Sequence, residues 1–512
     1  MDATKETMDN LMRSATVANQ ELYVTITEDA SVLDNCDASI PALLRDVAEL
    51  RMDVKFILVD LQTIMRSCFE TDKAYEKRYH LKNLYAGMLE GYKLLYGFGN
   101  MRKRTLWARM GDDLQNAIQE NQSLFGRLKD SYDEITQRLL AIEASRTEQD
   151  DRNLTYHYDD DLLLVYRLTL KTDSEEKAAE RYIVFMKILG SMLELGNQIE
   201  ICEAGVGKLL PERLGSHDDI ALMIVQKVAE SMSKHPQLEE VLATAVERGA
   251  KQLDSYADYK KGVLRIEDYI ARSIQVKMEI PELGIMKQLL DVQMLVSFMM
   301  ADMATILRSF LGAGSKYEYP LLLRKLTISR VSTLNHLISY RKDVSDSMWS
   351  RITTVIPTDN QELQDEAEKI LLALKILRKQ GDCDTRALYV HLIDNNKYHS
   401  NVPDIIKRLE DVTILSELQS SQEVVKICGR VSRFMAKLMN ALSEQARKSR
   451  IESSKKLKGQ IDGIRNLTNH PNCPEVFRNT MRKQMDDIEK LLEIDGERGG
   501  DGTCFTNNRS QQ

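Results

Sequence analysis

The chain has only two tryptophans, and they mark a repeat that constrains how everything else is laid out. Trp107 stands in "LWARM" and Trp349 in "MWSRI", 242 positions apart. Sliding the sequence by that offset sets "DLQTIMRSCFETDKAYEKRYHLKNL" on "DMATILRSFLGAGSKYEYPLLLRKL" without a gap. Across the 51 positions from Asp60 to Met110 there are 12 identities, among them Asp60/Asp302, Thr63/Thr305, Arg66/Arg308, Ser67/Ser309, Tyr75/Tyr317, Glu76/Glu318 and Arg109/Arg351. Unrelated stretches of similar composition would give about three. Similarity at one long offset predicts a duplicated domain and not a solenoid, whose period is roughly 20–50 residues.

Each copy reads as helices. "IPALLRDVAELRMDVKFILVDLQTIMRSCF" carries apolar residues at three- and four-residue steps, the pattern of a long amphipathic helix. "KRYHLKNLYAGMLEGYKLLYGF" is a second helix, ended by Gly97 and Gly99. "DDLQNAIQENQSLFGRLKDSYDEITQRLLAIEA" reads as a third, single helix. "DLLLVYRLTL" follows, and then "SEEKAAERYIVFMKILGSMLEL", opened by Ser174 as N-cap with Glu175 and Glu176 in the first turn. The second copy runs similarly, with "GRVSRFMAKL" a loose counterpart of "ERYIVFMKIL". The predicted fold is all-α, two tandem helical-bundle domains from an internal duplication. The first occupies 1–204, a helical connector 205–262 and the second domain 263–450. A C-terminal helical extension at 451–494 begins in the basic "RKSRIESSKKLKGQ", and 495–512 is expected to be a disordered tail.

Composition agrees with helices and narrows the partners. Nine prolines and 24 glycines are few for 512 residues, and 43% hydrophobic content suffices for packed cores. A formal net charge of −8 excludes nucleic-acid binding through a broad basic surface, leaving only a small basic cleft. The seven cysteines are scattered, with no C-x-x-C pair, so neither a zinc site nor a disulfide framework is expected, and a reducing compartment fits. No signal peptide is visible at "MDATKETMDNLMRS". The most apolar window, "LLDVQMLVSFMMADMATILRSFL", is interrupted by Asp291 and Asp302 and reads as a core helix. The expectation is a soluble, cytoplasmic protein with no membrane contact, cofactor or metal.

The chemistry-bearing pattern is Arg-x-x-x-x-His. It occurs in the acidic stretch "EQDDRNLTYHYDDD" (Arg152 to His157), in "RALYVH" (Arg386 to His391) and in "RNLTNH" (Arg465 to His470). Eight histidines should give about one such pair by chance. His157 lies 50 residues after Trp107 and His391 lies 42 after Trp349, so two of the pairs fall at corresponding places in the copies. The third lies outside the aligned frame, although "RNLT" is the closer textual match to the first. Histidine can serve as general acid or base near neutrality. Arginine offers a planar fork for phosphate oxygens, and Asn153 can orient either group. On a regular helix, residues five apart lie about 140° apart around the axis, so Arg and His would converge only at a helix start or from two facing domains. The plain alternative is an arginine paired with Asp150, Asp151 or Asp159 in a solvated loop beside a buried structural histidine.

"DRNLTYHYDDD" followed by a helix, in a duplicated helical chain, resembles the HEPN (higher eukaryotes and prokaryotes nucleotide-binding) superfamily, whose signature is R-x4-6-H with a polar residue after the arginine. The resemblance covers most of the chain as two copies and rests on a short signature. It implies a metal-independent endoribonuclease of toxin or antiphage-defence type. His157 would be the general acid/base, Arg152 the phosphate ligand and Asn153 an orienting group, with Arg386 and His391 completing a pseudo-symmetric site. Expected partners are RNA and a protein antitoxin or other protein partner, with the copies forming an intramolecular pseudo-dimer that can also homo-oligomerise. The competing class is a non-catalytic duplicated helical scaffold that binds protein or RNA. It predicts motifs that lie apart or are tied up within each copy, whereas motifs meeting in one open groove favour the nuclease.

Overall fold

The structure, a computed structural model, describes residues 2–144, 162–170, 175–211, 220–274, 281–339, 347–380, 383–392, 400–411 and 414–469, with short pieces at 474–475, 479–481 and 483. The fold is all-α as the periodicity predicts, with no strand among the described residues. The chain divides into two compact units, one of Met1–Val355 with Gln364–Met435, the other of Ile356–Leu363 with Ala436–Gln512.

The first part of the chain supplies α1 (Asp2–Asp34), α2 (Ala42–Glu70), α3 (Ala74–Leu95), α4 (Leu106–Glu120), α5 (Gln122–Ala144), α6 (Leu162–Leu170) and α7 (Glu175–Gly205). Then come α8 (Ile220–Ser233), α9 (Pro236–Ile274), α10 (Pro281–Leu311), α11 (Tyr319–Ile338), α12 (Met348–Thr353), α13 (Gln361–Gln380), α14 (Cys383–Val390), α15 (Val402–Asp411) and α16 (Ile414–Thr468). Two 3-10 turns, Gly99–Arg104 and Lys316–Glu318, stand before α4 and α11.

The second helix of the sequence reading ends where expected. Tyr96 and Gly97 both donate to the Tyr92 carbonyl, and Gly97 takes φ +70, a left-handed conformation that glycine adopts without a Cβ clash. The single helix expected over "DDLQNAIQENQSLFGRLKDSYDEITQRLLAIEA" is two. Asn121, at φ −149 and ψ 80, breaks it, and its carbonyl accepts from Leu124 and Phe125 to open α5. The predicted borders at 262 and 450 both fall inside continuous helices, α9 and the 55-residue α16. Gly262 alone is too weak a breaker to end a helix. The predicted N-cap Ser174 and the tail 495–512 lie outside the described residues.

In the larger unit α2 is the hub of the first part, packed by α1, α3, α4 and α7, while α10 packs against α9, α11 and α12. Helix α10 is the one helix among the described residues long and apolar enough to cross a bilayer, yet 72% of its most apolar window is buried inside the protein. Trp107 and Trp349 are both core anchors. Trp107 stacks on Tyr132 at 4.6 Å and donates to the Thr136 hydroxyl at 3.0 Å, and Trp349 lies 5.4 Å from the Phe434 ring. The smaller unit holds a turn at Pro357–Asn360, where the Asn360 side chain accepts from the Leu363 amide, and a Lys437–Glu362 ion pair at 3.4 Å.

Helices α9 and α10 approach closely at Gly249. A Cβ there would lie 2.9 Å from the Ala301 Cβ and 3.2 Å from the Ser297 carbonyl, neither of which can swing away. Gly262, thirteen residues further along the same helix, has nothing within 4 Å of that position. Gly249→Val is therefore expected to destabilise by about 1–3 kcal/mol through overpacking. Gly262→Ala should add about 0.5–1 kcal/mol by restricting the unfolded chain. Urea unfolding of the two variants beside wild type checks the opposite signs.

Candidate functional site

The inner faces of α2, α3, α10 and α11 are strongly ionic for a protein interior. Arg66 on α2, 2% exposed, is held by Glu318, with Nε 3.1 Å from Oε1 and a second close contact between Nη2 and Oε2. It also donates to Glu70 and, at 2.7 Å, to the Gly312 carbonyl. Arg308 on α10 pairs with Glu76 on α3. These four residues are two aligned pairs, Arg66/Arg308 and Glu76/Glu318, and each arginine takes the glutamate that follows the other arginine in sequence. The aligned aspartates reach across as well. Asp60 accepts from Arg324 at 3.1 Å and Lys325 at 3.0 Å, and Asp302 accepts from the Tyr75 hydroxyl at 2.7 Å. Burial pushes the Asp60 carboxyl up, but Lys325 and then Arg324 outweigh it and hold it below the ordinary carboxylate range. The aligned serines repeat one local bond, Ser67 to the Thr63 carbonyl at 3.0 Å and Ser309 to the Thr305 carbonyl at 3.1 Å.

A polar cleft of about 190 Å³ opens beside Arg308, lined among others by Glu76, His80, His235, Glu239 and Ser309. Its one enclosed pair of potentially reactive groups is Ser309 and His80, with Oγ 3.3 Å from Nε2. Burial first, then the charges of Lys325 and Arg66, push the His80 pKa down to about 3. A neutral imidazole with so acidic a conjugate acid is a weak general base. The Ser309 proton has a competing acceptor in the Thr305 carbonyl, and Glu76 already neutralises Arg308. The cleft therefore holds paired charges without an activated nucleophile, and the buried Arg308 Nε makes no hydrogen bond among the described residues. Among the described residues no group of three or more His, Cys, Asp or Glu stands placed to hold a metal ion. The Cys68 and Cys428 thiols, pushed up to about 12 by burial, are not poised to react.

The residues singled out in the sequence fall in different settings. Arg152, Asn153 and His157 lie outside the described residues, as does His470. Arg386 is on α14, 4% exposed, and its Nε donates to the Ser332 hydroxyl of α11 at 2.7 Å. His391 follows that helix, half-buried, with its carbonyl accepting from the Asn401 side chain at 2.7 Å. The flanking backbone is fastened to the first part of the chain. The Leu392 amide donates to Glu90 at 3.3 Å, and Ser400 donates to Asp53 at 2.6 Å. Burial, then the Glu49 charge, raises the Asp53 carboxyl well above its ordinary value. Arg386, expected to complete a pseudo-symmetric site with His391, thus has its guanidinium enclosed among the described residues. Arg465 is exposed on α16 beside Asp462 at 3.6 Å. In the sequence Arg66, Glu76, Arg308 and Glu318 stand only as identities at the 242-residue offset. That identical charged residues recur inside apolar-periodic helices was the available signal that they face one another.

Comparison with protein-family models, with curated proteins and with solved structures finds no match for this chain.

The depressed His80 value makes a pH prediction. Its folded value of about 3 lies below the ~6.5 of an unfolded histidine, so the unfolded chain takes up the proton first. Stability is then lost as pH falls through the window from about 6.5 toward 3. Between pH 7.5 and 5 this one group should remove about 2 kcal/mol. His80→Gln is expected to lack that part of the slope, read from urea unfolding of both proteins across the window.

Proposed function

We propose that this chain is a non-catalytic helical binding protein, built from two like copies closed on each other, and not a two-motif ribonuclease. The burial of Arg386 against Ser332 carries this reading. A phosphate can use an arginine only where the guanidinium fork is open to it, and Arg386 spends its position on joining α14 to α11. Support comes also from the cleft beside Arg308, whose histidine is a weak base and whose arginine is neutralised within the protein. The net charge of −8 works against a polyanion and favours a protein or small-ligand partner. The duplication itself is part of the proposal. It is supported by the 242-residue offset and by the crossed Arg66–Glu318 and Arg308–Glu76 pairs, the reciprocity expected of a two-fold interface. In this reading the protein works in a reducing, cytoplasmic setting.

A second reading keeps catalysis in the first motif alone. It is favoured by "RNLTYH", where Asn153 stands beside Arg152 as in the HEPN signature, while Ala387 replaces the polar residue in "RALYVH". The two readings separate when purified chain is incubated with single-stranded RNA and total tRNA in EDTA, beside Arg152→Ala, His157→Ala and Arg386→Ala. The proposal expects no cleavage by wild type above that of His157→Ala. Cleavage to 2′,3′-cyclic phosphate ends that Arg152→Ala and His157→Ala abolish and Arg386→Ala leaves intact would assign a ribonuclease to the first motif and overturn it.

A further inference from the structure

A second cavity, of about 680 Å³, opens between α3, α5 and α7, and its character is opposite to that of the cleft beside Arg308. Its inner wall is Tyr92, Phe185 and Ile188, all buried, and Tyr85, Met88 and Phe98 extend the apolar lining outward. The size lies within the ~300–1,000 Å³ of small-molecule sites, far above the water-sized voids that packed interiors tolerate. The lining is held in place before any ligand arrives. The Tyr92 hydroxyl donates to the Leu139 carbonyl at 3.2 Å, Phe98 stacks on the Tyr92 ring at 5.0 Å, and the Arg181 guanidinium lies 5.4 Å from the Tyr85 ring centre. Apolar surface continues to the mouth, where Val184 is 51% exposed.

The rim carries charge of one prevailing sign. Among the described residues, Arg138, Arg181 and Lys187 line the cavity with one carboxylate, Glu180, on a chain whose overall charge is −8. Arg138 also pairs with Glu134 on its own helix. Arg181 and Lys187 are exposed on α7, where their charges meet an arriving headgroup while their stems cover apolar surface. An apolar, aromatic-walled cavity with Arg181 and Lys187 at its rim is complementary to a molecule with a long apolar body and one anionic end.

We propose that the α3–α5–α7 cavity binds an amphipathic anion, an acyl chain or similar apolar body bearing a carboxylate. The apolar body lies against Tyr92, Phe98 and Phe185, and the carboxylate meets Arg181 and Lys187. The proposal deepens the reading of the chain as a binding protein, and its failure is separate from that of the RNA experiment, because ligand uptake here involves neither Arg152 nor His157.

Calorimetric titration of the full chain with dodecanoate, dodecanol and dodecyltrimethylammonium, each kept below micelle-forming concentration, tests it. Saturable one-to-one binding of dodecanoate is expected, with the ammonium weaker by about tenfold or more and the alcohol between them. Arg181→Gln combined with Lys187→Gln should weaken dodecanoate by about tenfold while leaving the alcohol unchanged. Val184→Trp, which fills the mouth from an exposed position, should abolish uptake of all three with the urea midpoint preserved. Absence of dodecanoate binding, equal affinity for the three headgroups, or binding that survives Val184→Trp would each overturn the proposal. Should Val184→Trp lower the urea midpoint, the charge-neutralised variant still decides, since both of its substitutions are at exposed positions.

Discussion

A charged group taken out of water must find a partner of opposite sign held in good geometry, or the fold loses several kcal/mol. Arg66 and Glu318 sit under that constraint, 2% exposed and fully enclosed on their side chains respectively, and they come from stretches 252 residues apart in the chain. Arg308 and Glu76 repeat the constraint in mirrored order. With Asp60 bound by Arg324 and Lys325, these pairs favour one register of α2, α3, α10 and α11. Apolar burial supplies most of the driving force, but it is tolerant of small slips. The ionic pairs are not, because a slip of one helical turn strands an arginine in the core.

That rigid ionic centre explains where binding chemistry can and cannot reside. Groups that stabilise the interior are already spent. Arg308 is neutralised by Glu76, Arg386 is bonded to Ser332, and His80 is kept neutral by burial and by Lys325 and Arg66. Chemistry that needs a free cation or a poised base finds neither among these described groups. The flank between α3, α5 and α7 differs, because there the apolar lining meets solvent and the cations stand at a rim.

Much of the all-α architecture is legible in the sequence. Apolar residues at three- and four-residue steps gave α2 and α3 their extents, Gly97 gave α3 its end, and scarce proline gave the all-α class. The break at Asn121 escaped, because a single polar residue inside a periodic run carries no proline or glycine signature. The borders at 262 and 450 came from the repeat and from weak local breaks, and α9 and α16 run through both positions as continuous helices. At the site, matched placement of Arg386 and His391 in the repeat was visible, but exposure was not. Sequence spacing fixes which residues recur; the neighbouring α11, packed against α14, decides that Arg386 faces inward. The pairing of Arg66 with Glu318 was likewise present as identities and became an interaction only when the two parts of the chain were seen together.

The most direct measurement is a double-mutant cycle on the central pair, with unfolding free energies of wild type, Arg66→Leu, Glu318→Leu and the double variant from urea titration. If the crossed pairs set the register, each single substitution strands a buried charge and costs about 3–5 kcal/mol. The double variant, with neither charge present, should cost far less than the sum of the two. Additivity within about 0.5 kcal/mol would contradict the account, showing that the two side chains act independently and that the halves are held in register by something else.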